Sequence, residues 1–269
     1  MQQAIAVLDS GVGGLTVVKE VMRQLPHEKV IYFGDTARSP YGPRPPIEVR
    51  HFTRQIVDYL LQFNPKMIVI ACNTATAVAI EDIRARVSIP VVGVISPGAR
   101  AAIKMTRSGM IGVIGTDGTI RSQAYESALK QISPDIQVYS EACPLLAPFV
   151  ERGLFSTESA HTIVEQSLNS LKEKPIDCLI LGCTHYPFLM DSISRVMGPE
   201  VNLISSAEET ARDISTILSQ RGMQSQSYEM PIHQFFCSGA PPVFRQIAES
   251  WLKEYIPFMP VVWQVPTII

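Results

Sequence analysis

The chain has 269 residues, with 23 Lys+Arg against 25 Asp+Glu and 46% hydrophobic residues. A near-neutral balance without a basic stripe excludes an ordinary nucleic-acid binder, and the apolar content supplies a core rather than a disordered chain. No apolar run approaches the ~20 residues that cross a bilayer, and Ala4–Leu8 is too short for the apolar core of a signal peptide, so no membrane partner is expected. The five cysteines, Cys72, Cys143, Cys178, Cys183 and Cys237, are odd in number and lie mostly in or beside apolar runs. That is no disulfide framework, and the expectation is a cytoplasmic enzyme with reduced thiols.

In chain order, Ala4–Leu8 reads as a buried strand feeding Asp9-Ser10-Gly11-Val12-Gly13-Gly14 and a helix over Leu15–Leu25, the usual opening of a doubly wound α/β domain. The glycine spacing is neither a dinucleotide fingerprint nor a P-loop, which leaves a small anion site at a helix N-terminus. A second strand, Lys29–Phe33, enters a loop dense in Pro and Gly, Gly34 to Pro46, stiff without being regular. A covering helix over Ile47–Phe63 follows. Met67–Ala75 is an apolar strand ending in Cys72, with a helix over Thr74–Arg86 behind it. Val91–Ile95 is a strand, and Ser96-Pro97-Gly98 reads as a turn crossing to a second half.

That second half repeats the plan. Met110–Ile114 followed by Gly115-Thr116-Asp117-Gly118-Thr119 matches Ala4–Leu8 with its turn, and Cys178–Pro187 matches Met67–Ala75 at a nearly equal distance downstream. Between them the pattern predicts a helix over Ile120–Ile132, a strand over Ile136–Tyr139, a helix through Phe149–Gly153 and a longer one over Ser156–Leu171. After Cys183 come a helix over Phe188–Met197, a strand over Val201–Ile204 and a helix over Ala207–Gln220 that returns the chain to its first half. Gly222–Glu229 is an exposed loop, His233–Cys237 a last strand and Pro242–Tyr255 a last helix. The tail Pro260–Ile268 reads equally as strand or contact surface. The division expected is residues 1–97 together with 208–269 as one α/β domain and 98–207 as the other.

Cys72 and Cys183 therefore occupy one structural address, the C-terminal end of a parallel strand, in two halves. Three chemistries compete for such a pair. Metal binding lacks Cys-x-x-Cys spacing, although Cys183-x-His185 offers two ligands, so no metal is expected. Thiol–disulfide chemistry usually keeps its resolving thiol in the same short motif. Acid–base chemistry fits best: a thiolate on one side of a cleft removes a proton from carbon while a thiol opposite returns one, which inverts a stereocentre with no cofactor. It needs each thiol, pKa ~8.5 when free, brought toward working pH, and a helix N-terminus behind each cysteine acts in that direction. Asp9 and His185 are the ionisable partners of the two sides. Cys143, Cys178 and Cys237 read as buried small hydrophobes.

Asp9-Ser10-Gly11-Val12-Gly13-Gly14, Gly34-Asp35-Thr36-Ala37-Arg38 with Pro40-Tyr41-Gly42, Ala71-Cys72-Asn73-Thr74-Ala75 and Gly182-Cys183-Thr184-His185-Tyr186-Pro187 together resemble, in order, the signature motifs of the glutamate racemases. The resemblance covers nearly the whole chain and is weakest after Gly222. It implies two doubly wound α/β domains related by a pseudo-twofold axis with the active site in the cleft between them. It also implies cofactor-independent interconversion of L- and D-glutamate, supplying D-glutamate for peptidoglycan. By motif, Cys72 is the base for D-glutamate and Cys183 the base for L-glutamate, with Asp9 helping the first and His185 the second. Ser10, Asn73, Thr74 and Thr184 are implied to bind the ammonium and α-carboxylate, and Pro40, Tyr41 and Gly42 the side-chain carboxylate through backbone N–H groups. Thr116 and Thr119 line the second side, and Glu151 matches an acid that bonds the histidine. Ser39 and Cys237 depart from the family pattern. The expected partners are glutamate and a second copy of the chain in a homodimer. The competing readings are an aspartate racemase or related two-cysteine isomerase with the same geometry, and a non-catalytic amino-acid binding module, which needs no paired thiols.

Overall fold

The computed structural model describes residues 3–155, 157–227, 229–239, 241–255 and 261–264. The chain alternates strand and helix: β1 (Ile5–Asp9), α1 (Leu15–Gln24), β2 (Val30–Gly34), α2 (Pro46–Leu61), β3 (Met67–Ile70), α3 (Asn73–Arg86), β4 (Val91–Gly93) and α4 (Ile95–Met105). It continues with β5 (Met110–Gly115), α5 (Asp117–Arg121), α6 (Ala124–Ile132), β6 (Gln137–Ala142), α7 (Leu146–Glu151), α8 (Glu158–Leu168) and β7 (Cys178–Gly182). A 3-10 turn at Tyr186–Leu189 leads to α9 (Met190–Met197), β8 (Asn202–Ile204), α10 (Ser206–Gln220), β9 (His233–Cys237), α11 (Pro241–Trp251) and β10 (Val261–Gln264).

Two parallel sheets result, a six-stranded one in the order β10-β9-β2-β1-β3-β4 and a four-stranded one in the order β6-β5-β7-β8. Strands β1, β3 and β7 are buried along their whole length, as unbroken Ile, Val and Leu runs covered by helices on both faces must be. Both sheets reverse direction at one place: the chain leaves β1 to one side and returns to the other as β3, and it does the same around β5 with β6 and β7. Such switch points open a crevice at the carboxyl ends of the strands, and here each sheet supplies one. Asp9 and Cys72 flank the first, Thr116 and Cys183 the second. Helix α10 packs against α1 and α4, and one apolar cluster runs from α1 of the first half into α7, α8 and α9 of the second.

Two expectations need correction, and two others gain detail. Ser96-Pro97-Gly98 is not a turn but the first turn of α4. Pro97 is its third residue, where a missing N–H costs nothing, and the Gly98 N–H already donates to the Val94 carbonyl. The helix over Ile120–Ile132 is two helices, α5 and α6, broken where Gln123 takes φ 53°. The loop from Gly222 is exposed but anchored: the Ser225 N–H donates to Glu28 and Lys66 Nζ to the Met223 carbonyl. In the tail, Val261–Gln264 adds parallel to β9 as a sixth strand. Ser156, Tyr228, Pro260 and residues 265–268 of the expected elements lie outside the described residues.

Candidate active site

The loop after β1 folds on its own carboxylate, because Asp9 Oδ1 accepts the Gly11 N–H at 3.0 Å. The next amide, Val12 N–H, donates to Glu151 Oε1 at 2.8 Å. Two N–H groups that the sequence offers to an external anion are thus held by the protein's own acids. A Cβ on Gly11 would lie 1.8 Å from Glu151 Oε1, and one on Gly13 would lie 2.6 Å from His185 Nδ1. These glycines serve close approach between the two halves.

Cys72 ends the β3 connection and N-caps α3, its sulfur accepting the Ala75 N–H at 3.5 Å and lying 3.7 Å from Ser10 Oγ. Only 4% of it is exposed. Here the expected helix effect is outweighed. Burial, reinforced by the Asp9 charge, pushes the thiol up to about 12, against the lowering by Ala75 and Ser10. Asp9 is itself fully buried, and burial raises its carboxyl against the lowering pull of His185. Its Oδ2 accepts the Thr184 hydroxyl at 3.0 Å, which ties the first half-site to the second.

Cys183 is 6% exposed. Its sulfur lies 3.5 Å from His185 Nδ1, and His185 Nε2 lies 2.5 Å from Glu151 Oε1. No α-helix starts directly behind Cys183; the 3-10 turn intervenes. Its helper is the imidazole instead. Burial works against a charged His185, but the Cys183 sulfur and the Glu151 carboxylate prevail and hold its pKa well above the ordinary 6.5.

The hydroxyls form a third group. Thr74 Oγ1 lies 2.8 Å from Thr116 Oγ1 and 3.2 Å from Thr119 Oγ1, and the last two are 3.1 Å apart. The Pro40–Gly42 loop closes over the same place, where the Gly118 N–H donates to the Gly42 carbonyl at 2.9 Å. Tyr41 contributes no side chain here: its ring is buried and its hydroxyl donates to Asp35. Arg38 Nε and the Ser238 hydroxyl donate to the same carboxylate at 2.6 and 2.7 Å, so the loop is stiff for a stated reason. Ser39, one of the departures, buries a hydroxyl without a hydrogen-bond partner. Cys237, the other, is a buried thiol, as are Cys143 and Cys178. Among the described residues no cluster of three His, Cys, Asp or Glu is arranged to hold a metal ion, and no helix is long and apolar enough to cross a membrane.

Asn73 is the one expected residue whose geometry the sequence leaves incomplete. Its Oδ1 accepts the Tyr125 hydroxyl at 2.7 Å from the other half. Tyr125 carries no motif signal. In a helical run with Leu129 it reads as core.

Two buried thiols at matched switch points, each with its own ionisable helper, form the frame of a two-base racemase. The Asp/Glu/Hydantoin racemase family model matches residues 9–214. A glutamate racemase of Oceanobacillus iheyensis is 54% identical over 255 residues, covering 94% of this chain and 93% of that protein. The crystal structure of the glutamate racemase isoform RacE1 of Bacillus anthracis superposes with a TM-score of 0.93 at 48% identity, covering 99% of this chain and 98% of that one. That of the Francisella tularensis glutamate racemase, in complex with D-glutamate, superposes with a TM-score of 0.89 at 33% identity, again covering 99% and 98%. This chain belongs to the glutamate racemase family.

Proposed function

We propose that the protein interconverts L- and D-glutamate by proton transfer at Cα between Cys72 and Cys183, and so supplies D-glutamate for peptidoglycan. The observation that carries this reading is the pairing of two buried sulfurs with different helpers, Asp9 and Ser10 beside Cys72, and His185 with Glu151 beside Cys183. For L-glutamate, the Cys183 thiolate takes the Cα proton, the C–H electron pair stays on the substrate as an enolate-like carbanion, and the Cys72 S–H delivers a proton to the opposite face. Cys183 ends protonated and Cys72 ends as thiolate; the D direction reverses each transfer. Burial that keeps Cys72 protonated in the resting protein supports its role as the acid for L-glutamate. His185, held cationic, supports a negative sulfur at Cys183.

In the same reading, Ser10, Asn73, Thr74 and Thr184 hold the ammonium and α-carboxylate, Thr116 and Thr119 line the second side, and the Pro40–Gly42 loop receives the side-chain carboxylate. Residues 1–97 with 208–269 form one domain and 98–207 the other, and two copies of the chain form a homodimer.

The test is incubation of L-glutamate with the protein in D₂O. D-glutamate formed early carries deuterium at Cα, while the remaining L-glutamate is still protiated, because the two faces exchange with different groups. Cys72→Ala and Cys183→Ala each lose turnover by more than about a hundredfold. L-glutamate recovered after long incubation with neither deuterium nor any D-enantiomer would overturn the reading.

A further inference from the structure

Asn73 is 1% exposed, and its two amide ends are treated differently. Oδ1 accepts the Tyr125 hydroxyl at 2.7 Å, while Nδ2 is buried without a partner. A buried N–H₂ that finds no acceptor in the protein is costly to keep, so a ligand group is its natural partner. An amide is a donor at one end and an acceptor at the other, and which end faces the ligand depends on what holds the far end.

Tyr125 fixes that choice. Burial raises the tyrosine's pKa, so that the phenol keeps its proton. Its O–H is therefore a donor, and it is given to Asn73 Oδ1. This short relay runs one way, from Tyr125 on α6 to Asn73 on α3. Its last member is the residue next to Cys72. The tyrosine ring also packs beside the other half-site: a Cβ on Gly182, the residue before Cys183, would lie 3.0 Å from Tyr125 Cε2.

We propose that Tyr125 is a positioning residue that locks the Asn73 side chain with its N–H₂ end toward the substrate carboxylate. This rests on the reading of Asn73 as a substrate-binding residue. Without the relay the amide turns freely and presents its oxygen to an anion for part of the time, which weakens binding and leaves the proton transfers at Cα alone.

Steady-state kinetics in both directions tests it with Tyr125→Phe, Asn73→Ala and the double variant. Tyr125→Phe keeps the ring and removes only the hydroxyl. KM for both enantiomers rises about tenfold, kcat stays within about twofold, and the rise disappears in the Asn73→Ala background. A purely structural tyrosine would lower kcat and thermal stability together and add its effect to that of Asn73→Ala; that outcome, or an unchanged KM in Tyr125→Phe, overturns the proposal. If Asn73→Ala itself leaves KM unchanged, the reading of Asn73 beneath it fails instead. Should Tyr125→Phe not fold, Tyr125→Met, which also fills the buried space without a donor, takes its place. It raises KM about tenfold, again only while Asn73 is present, and no rise overturns the proposal.

Discussion

His185 works between the Cys183 sulfur and the Glu151 carboxylate, and its charge is the most exposed point of the site to a single substitution. Only 2% of the residue is accessible, so burial alone would favour the neutral ring, yet the Cys183 sulfur and Glu151 keep it cationic. Because its pKa in the folded protein lies above the ordinary 6.5, its contribution to stability is complete below that pH and is lost as pH rises through the raised value. Glu151→Gln keeps the shape and a hydrogen bond to His185 but removes the carboxylate charge. The alkaline limb of kcat/KM for L-glutamate then moves toward acid by about one pH unit, which at mildly alkaline pH is about a tenfold loss. The melting temperature of the native protein exceeds that of the variant most below pH 6.5, and the gap narrows above it. Superimposable pH profiles for the two proteins would show that Glu151 does not tune the histidine.

The elements around the site constrain each other through backbone contact as much as through side chains. Gly11, in the loop after β1, leaves room for the Glu151 carboxyl that comes from the end of α7, and a methyl group there would meet Glu151 Oε1 at 1.8 Å. The carboxyl is the end of a side chain and swings away, which takes it from both Val12 and His185. Gly11→Ala therefore reproduces the kinetic defect of Glu151→Gln, about a tenfold loss with the same shifted pH limb. In a Glu151→Ala background it adds little, since the two Glu151 atoms it displaces are gone and only Ser39 Oγ, at 3.0 Å, has to give. Additive losses would place the role of Gly11 elsewhere. The same interplay decides what was legible in the sequence. The buried strands β1, β3, β5 and β7 and their C-terminal residues stand out because a fully buried parallel strand must be apolar throughout. Helix α4 does not, because Ser96-Pro97-Gly98 has the local chemistry of a turn. Gly98 is small for a tertiary reason: its Cβ would lie 3.1 Å from the Tyr125 hydroxyl and 3.2 Å from Ser206 Cβ. At the site, Asp9, Cys72, Cys183 and His185 are readable from chemistry at strand ends. Tyr125 is hidden because an aromatic in a helix looks like core until its hydroxyl is placed. The raised Cys72 thiol is hidden too, since capping is local and burial is not.

At the scale of the whole molecule, the two halves are closed around the site by polar contacts that cross between the sheets. Thr184 bonds Asp9, Glu151 bonds Val12, Tyr125 bonds Asn73, and the Gly118 N–H donates to the Gly42 carbonyl. With Cys72 and Cys183 only 4% and 6% exposed, a dicarboxylate of glutamate's size reaches the sulfurs only after these contacts part. They are few and polar beside the apolar strand cores, so opening is a local event well below global unfolding in free energy. The Gly118 amide reports on it directly, because its acceptor lies on the other half. In native-state hydrogen exchange Gly118 exchanges much faster than the amides of β1, at a rate set by opening rather than by unfolding. A bound substrate favours the closed form, so D-glutamate at about a hundred times its Kd slows Gly118 exchange by about a hundredfold, a shift of about 2.7 kcal/mol. Exchange as slow as that of β1 in the free protein, or unmoved by D-glutamate, would mean that the halves do not part to admit substrate.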